Sequence, residues 1–409
     1  MSAPPKPARL PRGLSAVRIG ESAGALAGGV MDPGLADLLA RIQGRRIRSG
    51  NRVQVFFEGE AAFDAMVSDI GQASSEVLLE SYILKDDAVG QRFAEALGAA
   101  AARGVAVRVL ADAFGSIGTR AAFWRSLEAA GIAVRLYHPF GGPLRFLTYR
   151  DHRKILVADR RVAYTGGMNI GEEYGSSVLP RERVFRDTHA RVEGPTAAEM
   201  AGVFRGAWVA AGGDRFDEAD PPDGDGTGAR ILVLDSRPGR GAREVSAALA
   251  AIVGAARRRL WMTTAYFAPR QRVCNVLGRA VARGVDVRLL LPGRTDVKLV
   301  RHAGHGFFSR LLVRGVRIFE YAPAVLHAKT MVADASVSVI GSSNLDFRSF
   351  ERNAECNFAI FDAKLGTTME RRFEEDASEA AEILRPAWRR RAGLHRLGDA
   401  AARRLAPLL

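Results

Sequence analysis

Cysteine is scarce in this chain, and acidic residues are fewer than basic ones. Cys274 and Cys356 are the two cysteines among 409 residues. They cannot form a disulfide framework and lack the spacing of a metal site, which is typical of a reducing compartment. With 45 Asp and Glu against 59 Lys and Arg, the formal net charge is +14. This balance favours an anionic partner, namely nucleic acid, an anionic membrane surface or a phosphorylated substrate, although a GC-rich genome would produce it as well.

Long apolar runs are also missing, and their absence shapes the predicted organisation. No stretch of about 18 apolar residues occurs, so no transmembrane helix is predicted. Residues 1–45 are predicted as a flexible leader, because four prolines fall within the first eleven positions. An acidic segment rich in Gly and Pro, 214–229, is predicted as the linker between an N-terminal domain (46–213) and a C-terminal domain (230–384).

The remaining segment, 385–409, is a basic tail with seven arginines and one aspartate. Apolar residues recur in it at steps of three or four, so a helix here would be amphipathic; they are Leu394, Leu397, Ala401, Leu405 and Leu408. Such a helix suits docking on an anionic bilayer. It suits packing on its own domain, with the arginines in solvent, equally well.

Two of the seven histidines lie in the same sequence frame. Each motif reads His-x-Lys-x4-Asp and is followed by Gly-[Gly/Ser]-x-Asn. A single His-x-Lys is uninformative, but two copies whose histidines lie 175 residues apart are hard to attribute to chance. The candidate site residues are His152, Lys154, Asp159 and Asn169 in the first motif and His327, Lys329, Asp334 and Asn344 in the second.

The histidine motifs belong to an internal repeat. Residues 102–110 match residues 282–290, and the motifs follow at nearly the same offset. Each repeat reads as apolar strands alternating with helices and then a hairpin. We therefore expect an α/β protein of two tandem α/β/α domains with mostly parallel sheets, related by a pseudo-two-fold axis and sharing one active site at their interface.

The motif spacing indicates chemistry on a phosphodiester. His152 and Lys154 are two residues apart on a predicted strand, so both project from one face. An ammonium group balances the charge of phosphoryl oxygens while an imidazole acts on phosphorus, and Asn169 can donate an amide N–H to the same oxygens. With two histidines at one phosphorus, one attacks and the other protonates the leaving alcohol. No metal or cofactor is needed for this scheme.

The motif aspartates are predicted to support the hairpins. Asp159 lies seven residues after His152, and this odd spacing puts it on the opposite face of the strand. Each histidine then needs an orienting carboxylate from elsewhere. Asp187 and Glu355 are the candidates, and Glu173 is a weaker one. The other histidines are predicted to be structural: His138, His189, His302, His305 and His395, of which His302 and His305 could line an entrance.

These motifs resemble the phospholipase D superfamily. The resemblance covers roughly residues 50–390 and is most specific to bacterial cardiolipin synthases of the short type that lacks a transmembrane anchor. The most similar segments are residues 51–63, 79–84, 165–174 and 341–349.

The resemblance implies phosphatidyl transfer through a phosphohistidine, with phosphatidylglycerol as acceptor and cardiolipin as product. It implies that His152 is the nucleophile and His327 the general acid and base. It also implies a peripheral protein on the cytoplasmic side of the bacterial inner membrane, bound to anionic phospholipids.

Three other functions remain open at this point. A hydrolytic phospholipase D differs only in whether water or an alcohol accepts the phosphatidyl group. A phosphodiesterase nuclease would suit the positive charge, but no basic strip interleaved with aromatic residues suggests nucleic-acid binding. A non-catalytic lipid-binding scaffold conflicts with two complete motifs. The sequence does not indicate an oligomeric state.

Overall fold

The computed structural model describes residues 16–139, 148–175, 179–180, 183–217, 226–237, 242–295, 297–391, 398–399 and 401–403. The strands are β1 Arg48–Phe56, β2 Glu76–Ser81, β3 Ala106–Asp112, β4 Ala133–Tyr137, β5 Arg150–Asp151, β6 Lys154–Ala158, β7 Val162–Gly166, β8 His189–Glu193, β9 Ala229–Ser236, β10 Arg259–Thr263, β11 Phe267–Ala268, β12 Asp286–Pro292, β13 Arg317–Tyr321, β14 Thr330–Ala333, β15 Val337–Gly341, β16 Leu345–Asp346, β17 Asn353–Phe361 and β18 Ala380–Glu382. The helices are α1 Ala16–Gly24, α2 Pro33–Gln43, α3 Gly59–Gln72, α4 Ala88–Ala102, α5 Ala121–Ala129, α6 Pro195–Ala210, α7 Ala242–Ala255, α8 Gln271–Ala282, α9 Lys298–Val313, α10 Phe347–Glu351, α11 Ala363–Ser378 and α12 Arg385–Arg389.

One mixed sheet runs through both halves of the chain. Its order is β18-β13-β12-β10-β14-β15-β17-β9-β1-β8-β7-β6-β2-β3-β4. At its centre β1 pairs with β9 in antiparallel orientation. Outward from that pair, the first half reads β1-β8-β7-β6-β2-β3-β4 and the second β9-β17-β15-β14-β10-β12-β13. Because the two orders are equivalent, the halves are related by an approximate two-fold axis through the centre of the sheet.

The α/β class and the duplicated arrangement are confirmed, but the strand pairing differs from the expected mostly parallel one. Parallel pairing is confined to β2-β3-β4 and β10-β12-β13 within this sheet, plus the short pairing of β5 with β17. The remaining pairs are antiparallel. The reason is that each histidine-motif hairpin (β6–β7 and β14–β15) inserts between the parallel strands and the central ones, so it continues the sheet instead of covering it.

Helices cover both faces of the sheet. β2 and β17 are buried at every position, as expected of strands with a layer on each side. On one face, a single hydrophobic cluster joins both halves: Phe204 and Trp208 of α6 lie in the same cluster as Phe358 of β17 and Phe373 of α11. This shared core fixes the two halves against each other and therefore fixes the relative positions of their histidines.

The predicted flexible leader is wrong for residues 16–43, which form α1 and α2. Both helices pack on α7, and Leu35 and Leu39 of α2 are fully buried there. α2 has ordinary boundary signals: the Asp32 side chain accepts a hydrogen bond from Gly34 N, and Gly44 ends the helix with φ 61°. The proline-rich composition of residues 1–15 obscured these signals; those residues lie outside the described part of the chain.

The described residues of the basic tail pack on their own domain. Trp388 is buried in the core cluster of the C-terminal half, and Asp399 is 3% exposed. Leu394, Leu397, Leu405 and Leu408, on which the amphipathic pattern also depends, lie outside the described residues, as do positions 218–225 of the predicted linker. Within the described ranges, no helix is both long and apolar enough to cross a bilayer.

Candidate active site

The backbone of each histidine motif is attached to the opposite half. β5, directly before His152, pairs with the start of β17, and His152 N donates to Ala354 O at 2.9 Å. In the second half, Leu326 forms an isolated parallel β-bridge with Arg186, and His327 N donates to Arg186 O at 2.8 Å. The two motifs therefore cross over each other at the centre of the molecule.

The crossover gives each histidine a carboxylate from the other half. His152 Nδ1 lies 3.1 Å from Glu355 Oε2, and His327 Nδ1 lies 2.7 Å from Asp187 Oδ2. Glu355 and Asp187 are completely buried. A carboxylate at Nδ1 fixes the ring and the tautomer, which leaves Nε2 as the reactive nitrogen. The sequence indicated both carboxylates, but not that they are exchanged between halves.

The two lysines complete one electrostatic unit with the histidines. Lys154 Nζ donates to His152 O at 2.7 Å, and Lys329 Nζ lies 2.7 Å from Nδ1 and 3.1 Å from Nε2 of His327. Burial lowers the pKa of His152, and Lys154 and Lys329 lower it further against the opposing effect of Glu355. Each lysine thus acts on the histidine of the other half as well as on its own, as expected for one shared site.

Burial makes both histidines neutral near pH 7. Burial and the neighbouring Lys329 lower the pKa of His327 to about 4, although Asp187 opposes the shift. Burial lowers the pKa of Lys154 to about 7. The unliganded site therefore offers two neutral imidazoles and a lysine that holds its charge only partly, and a phosphate anion would restore that charge.

The two asparagines are placed alike but bonded differently. Asn169 Oδ1 accepts from Ile83 N at 3.1 Å, and Asn344 Oδ1 accepts from Tyr266 N at 3.2 Å. Asn169 Nδ2 donates to the hydroxyl of Tyr174 at 2.6 Å. Nδ2 of Asn344 has no hydrogen-bond partner among the described residues. The predicted donation to phosphate therefore suits Asn344 with both of its N–H groups and Asn169 with one.

Asp159 and Asp334 stand at the hairpin turns, away from the histidines. Asp159 accepts from the backbone N–H groups of Ser74, Ser75 and Glu76, and Asp334 accepts from those of residues 257–259. Both have left-handed backbone conformations, with φ 51° and 53°. They tie the hairpin to the start of the neighbouring strand, in agreement with the spacing argument.

Glu173, the weaker candidate for orienting a histidine, does not do so. Its carboxylate pairs with Lys85 Nζ at 2.7 Å. Among the histidines predicted to be structural, His189 is buried, which lowers its pKa to about 4. His138 Nδ1 lies 3.1 Å from Tyr149 O, and His395 lies outside the described residues.

An aromatic shell around the histidines escaped the sequence analysis. The ring of Tyr82 lies 5.0 Å from that of His152, between centroids. Tyr174 and Phe185, both from the first half, lie 5.2 and 5.5 Å from His327. These residues occur in or near the quoted motifs, but no spacing rule indicates which ring they would contact. They exclude water from the imidazoles, which is the burial that lowers both pKa values.

A buried charge network beneath His152 was also missed. The guanidinium of Arg153 donates to Asp235 Oδ1 and Ser236 O, both at 2.7 Å, and to Glu80 Oε1 at 3.3 Å. Arg153 is 2% exposed. Because Asp235 belongs to β9, this network links the two halves directly below the site. The signal that could have revealed it is an arginine placed between the motif residues His152 and Lys154, at the start of a strand that is buried at every position.

Comparisons with known proteins agree with this geometry. The family model described as "Cardiolipin synthase, PLD-like domain" matches residues 66–208 and 249–377. Cardiolipin synthase A of Pseudomonas fluorescens is 34% identical over 363 residues, which cover 88% of this chain and 76% of the relative. A cardiolipin synthase of Listeria welshimeri is 32% identical over 378 residues, which cover 91% of this chain and 78% of the relative.

A solved structure shows the same fold. The crystal structure of phosphatidylserine synthase from Haemophilus influenzae matches with a TM-score of 0.65 and 12% identity, covering 87% of this chain and 95% of that one. At that identity the likeness concerns the fold alone. The family model and the two relatives carry the assignment: this chain belongs to the cardiolipin synthase family of the phospholipase D superfamily and is a phosphatidyltransferase of that superfamily.

Proposed function

We propose that the protein joins two phospholipids by passing a phosphatidyl group through His152 to the glycerol hydroxyl of phosphatidylglycerol, which gives cardiolipin. The observation that carries this proposal is the exchanged pair of histidine–carboxylate contacts. It provides two buried imidazoles whose Nδ1 atoms each contact a carboxylate, so that Nε2 is the nitrogen of each ring that would act on the phosphodiester.

In the first step, Nε2 of His152 attacks phosphorus and a N–P bond forms. The bond from phosphorus to the leaving alcohol breaks, and His327 supplies the proton that this oxygen takes. Since His327 is neutral in the unliganded site, it must gain its proton when substrate binds. The negative charge of the phosphodiester and the carboxylate of Asp187 both favour the imidazolium form.

In the second step, His327 accepts the proton of the incoming hydroxyl, whose oxygen attacks phosphorus and displaces Nε2 of His152. Lys154, Lys329 and the amide of Asn344 stabilise the charge that accumulates on the phosphoryl oxygens. Transfer to an alcohol requires that water be kept from the phosphohistidine, and the aromatic rings of Tyr82 and Tyr174 beside the two imidazoles serve that purpose.

Anionic phospholipids as donor and acceptor agree with the net charge of +14. With such substrates, we place the protein as a peripheral one on the cytoplasmic face of the bacterial inner membrane. Lipid substrates are favoured over nucleic acid by the names of the relatives, both cardiolipin synthases.

The test is an assay with vesicles that contain radiolabelled phosphatidylglycerol, with the products separated by chromatography. We expect labelled cardiolipin and one free glycerol for each cardiolipin formed. Phosphatidic acid as the sole product would show a hydrolase instead, and nicking of plasmid DNA without any lipid product would show a nuclease. Full activity of either His152→Ala or His327→Ala would contradict the shared site.

A further inference from the structure

A second cluster of histidine and carboxylate side chains lies where the tail meets α9. His302 and His305 are three residues apart, so they share a face of this helix, and Asp399 comes from the tail. His302 Nδ1 lies 3.1 Å and His305 Nδ1 lies 3.7 Å from the same oxygen, Asp399 Oδ1. One ligand atom from each of the three residues falls within 4.8 Å of the others.

The surrounding groups leave these three atoms facing one another as ligands. His305 Nε2 lies 2.9 Å from Glu320 Oε1, and Arg301 holds both oxygens of Glu320 at 3.1 Å. When Nε2 donates its hydrogen to Glu320, Nδ1 of His305 carries a lone pair directed at a carboxylate oxygen. Two acceptors facing each other repel unless a proton or a metal cation lies between them. A carboxylate behind a histidine is also the usual support for a metal-binding imidazole.

The carboxylate of Asp399 is oriented in the same way. Arg391 Nη1 donates to Asp399 Oδ2 at 2.9 Å, which leaves Oδ1 as the oxygen nearest the histidines. Gly306 allows the tail to approach, because a Cβ there would lie 3.0 Å from Asp399 O and 2.9 Å from Arg403 Cβ. Packing of the tail on α9 therefore brings Asp399 to the two histidines, of which His305 is buried and His302 is exposed.

We propose that His302, His305 and Asp399 bind a divalent transition-metal ion, best matched by Zn²⁺, which fastens the C-terminal tail to α9. Two imidazoles and one carboxylate form a donor set that Zn²⁺ accepts readily, with metal–ligand distances of about 2.0–2.2 Å. Atoms 3.1 to 3.7 Å apart fit such distances around one ion. Ca²⁺ and Mg²⁺ prefer oxygen ligands throughout and do not match the donor set.

The experiment uses the full-length protein, freed of metal by a chelator and titrated with Zn²⁺ in a calorimeter. We expect one Zn²⁺ for each chain. His302→Ala, His305→Ala and Asp399→Asn should each lower the affinity at least 100-fold. Glu320→Gln, which leaves all three ligands in place, should lower it by about 10- to 100-fold. Titration with Co²⁺ should produce the visible absorption of a four-coordinate ion.

Two further variants test whether Zn²⁺ binding requires these histidines and the packed position of the tail. His138→Asn removes a histidine elsewhere and tolerates its positive φ of 47°, so Zn²⁺ binding should not change. Gly306→Leu keeps every ligand but displaces the tail, so binding should be lost. Thermal unfolding in chelator verifies that each variant is folded.

Hydrogen exchange provides a second measurement on the intact protein. Amides of residues 398–403 should exchange more slowly when Zn²⁺ is present. Absence of one-to-one binding, or binding that Asp399→Asn leaves unchanged, would overturn the proposal and assign the cluster to protonated histidines paired with Asp399.

Discussion

The two halves of the active site share a backbone but differ in the side chains around each histidine. Tyr174 of the first half and Ser349 of the second occupy equivalent positions, five residues after Asn169 and Asn344. Tyr174 contacts His327, whereas the hydroxyl of Ser349 accepts from Asn344 N. His327 therefore lies among more aromatic rings than His152. A symmetric backbone can therefore hold two histidines in unequal environments.

The carboxylates differ in the same way. A Cβ at Gly167 would lie 2.1 Å from Asp187 Oδ1, so only glycine allows that carboxylate to approach. The equivalent residue of the second half is Ser342, whose hydroxyl donates to Glu355. Glu355 thus divides its charge between His152 and a hydroxyl. The different groups around Asp187 and Glu355 therefore provide a physical basis for different chemical roles of the two histidines.

Charge is also distributed unequally. The Lys85–Glu173 ion pair of the first half corresponds to Ala268 and Arg348 in the second. Burial and the negative charge of Asp112 raise the pKa of Tyr82 to about 12, and the positive charge of Arg348 partly opposes this rise. Arg348 therefore places positive charge near Tyr82, the ring that contacts His152.

The largest expected effect comes from exchanging the leaving group. With a phosphatidyl ester of 4-nitrophenol, departure needs no proton, so His327→Ala should still release about one nitrophenol for each enzyme molecule. With phosphatidylglycerol, the same variant should lose about 10²- to 10⁴-fold in rate, the usual contribution of a general acid. His152→Ala should release no nitrophenol from the ester and should form no cardiolipin from phosphatidylglycerol. Stopped-flow absorbance measures the burst, and a burst that survives only in His152→Ala would reverse the two roles.

The next effect concerns stability. Arg153→Leu should lower the free energy of unfolding by about 3–5 kcal/mol, because the buried Glu80 and Asp151 lose Arg153 as their cation, although Asp235 keeps Arg45 at 3.3 Å. The comparison is Arg186→Leu. Its partner Asp376 keeps a second arginine, Arg372, at 3.1 Å, so the loss should be smaller. Urea unfolding measures both, and an equal or larger loss for Arg186→Leu would contradict the importance of the network below His152.

A smaller effect separates the hairpin aspartates from the site. Asp159→Asn and Asp334→Asn should each lower the free energy of unfolding by about 1–3 kcal/mol, while the folded variants keep their activity. Hydrogen bonds from Ser75, Glu76 and Ser74 lower the pKa of Asp159 despite its partial burial. Its stabilisation is therefore present above the ordinary aspartate pKa and is lost as pH falls, so the variant and the wild type should converge in acid. Activity lost without loss of stability would assign these residues to catalysis.

The smallest effect is a change in pH dependence. Lys154 loses its proton above its pKa of about 7, so kcat/KM should fall as pH rises past 7. His327, with a pKa of about 4, stays neutral until pH falls to that value. Lys154→Arg keeps a positive charge and should move the alkaline limb upward by more than one unit, whereas Lys85→Arg, a matched change at the surface ion pair, should leave it in place. An unchanged limb in Lys154→Arg would exclude Lys154 as its origin.

The parts of the site that follow from local spacing could be predicted, and those that follow from the crossover could not. His152 and Lys154 lie an even number of positions apart, and His152 and Asp159 an odd number. Since side chains alternate between the two faces of a strand, this spacing separates the site residues from the hairpin aspartate. Asp187 and Glu355 each follow the asparagine of their own half, by 18 and 11 residues, so the sequence is compatible with pairing inside each half or between halves. Pairing between halves is selected because β5 pairs with β17. These strands lie about 200 residues apart in the sequence, and no local pattern encodes their contact.

The order of strands in the sheet could not be predicted from local patterns either. Apolar strands and helices indicate the α/β class, but which strand the hairpin joins depends on tertiary packing. Composition is a poor guide to the structure of residues 16–43, because the upstream prolines indicate a flexible leader while Asp32 and Gly44 are helix boundary signals. Boundary residues were the better guide there.

The exchanged carboxylates have a consequence for how such a site is inherited. A single half would hold a histidine without its orienting partner, so the smallest complete unit contains two copies. In a symmetric dimer, every substitution changes both sides at once. Joined in one chain, the copies vary independently, so Tyr174 can differ from Ser349 and Glu173 from Arg348. Gene fusion therefore makes it possible for one histidine to specialise while the other keeps its role.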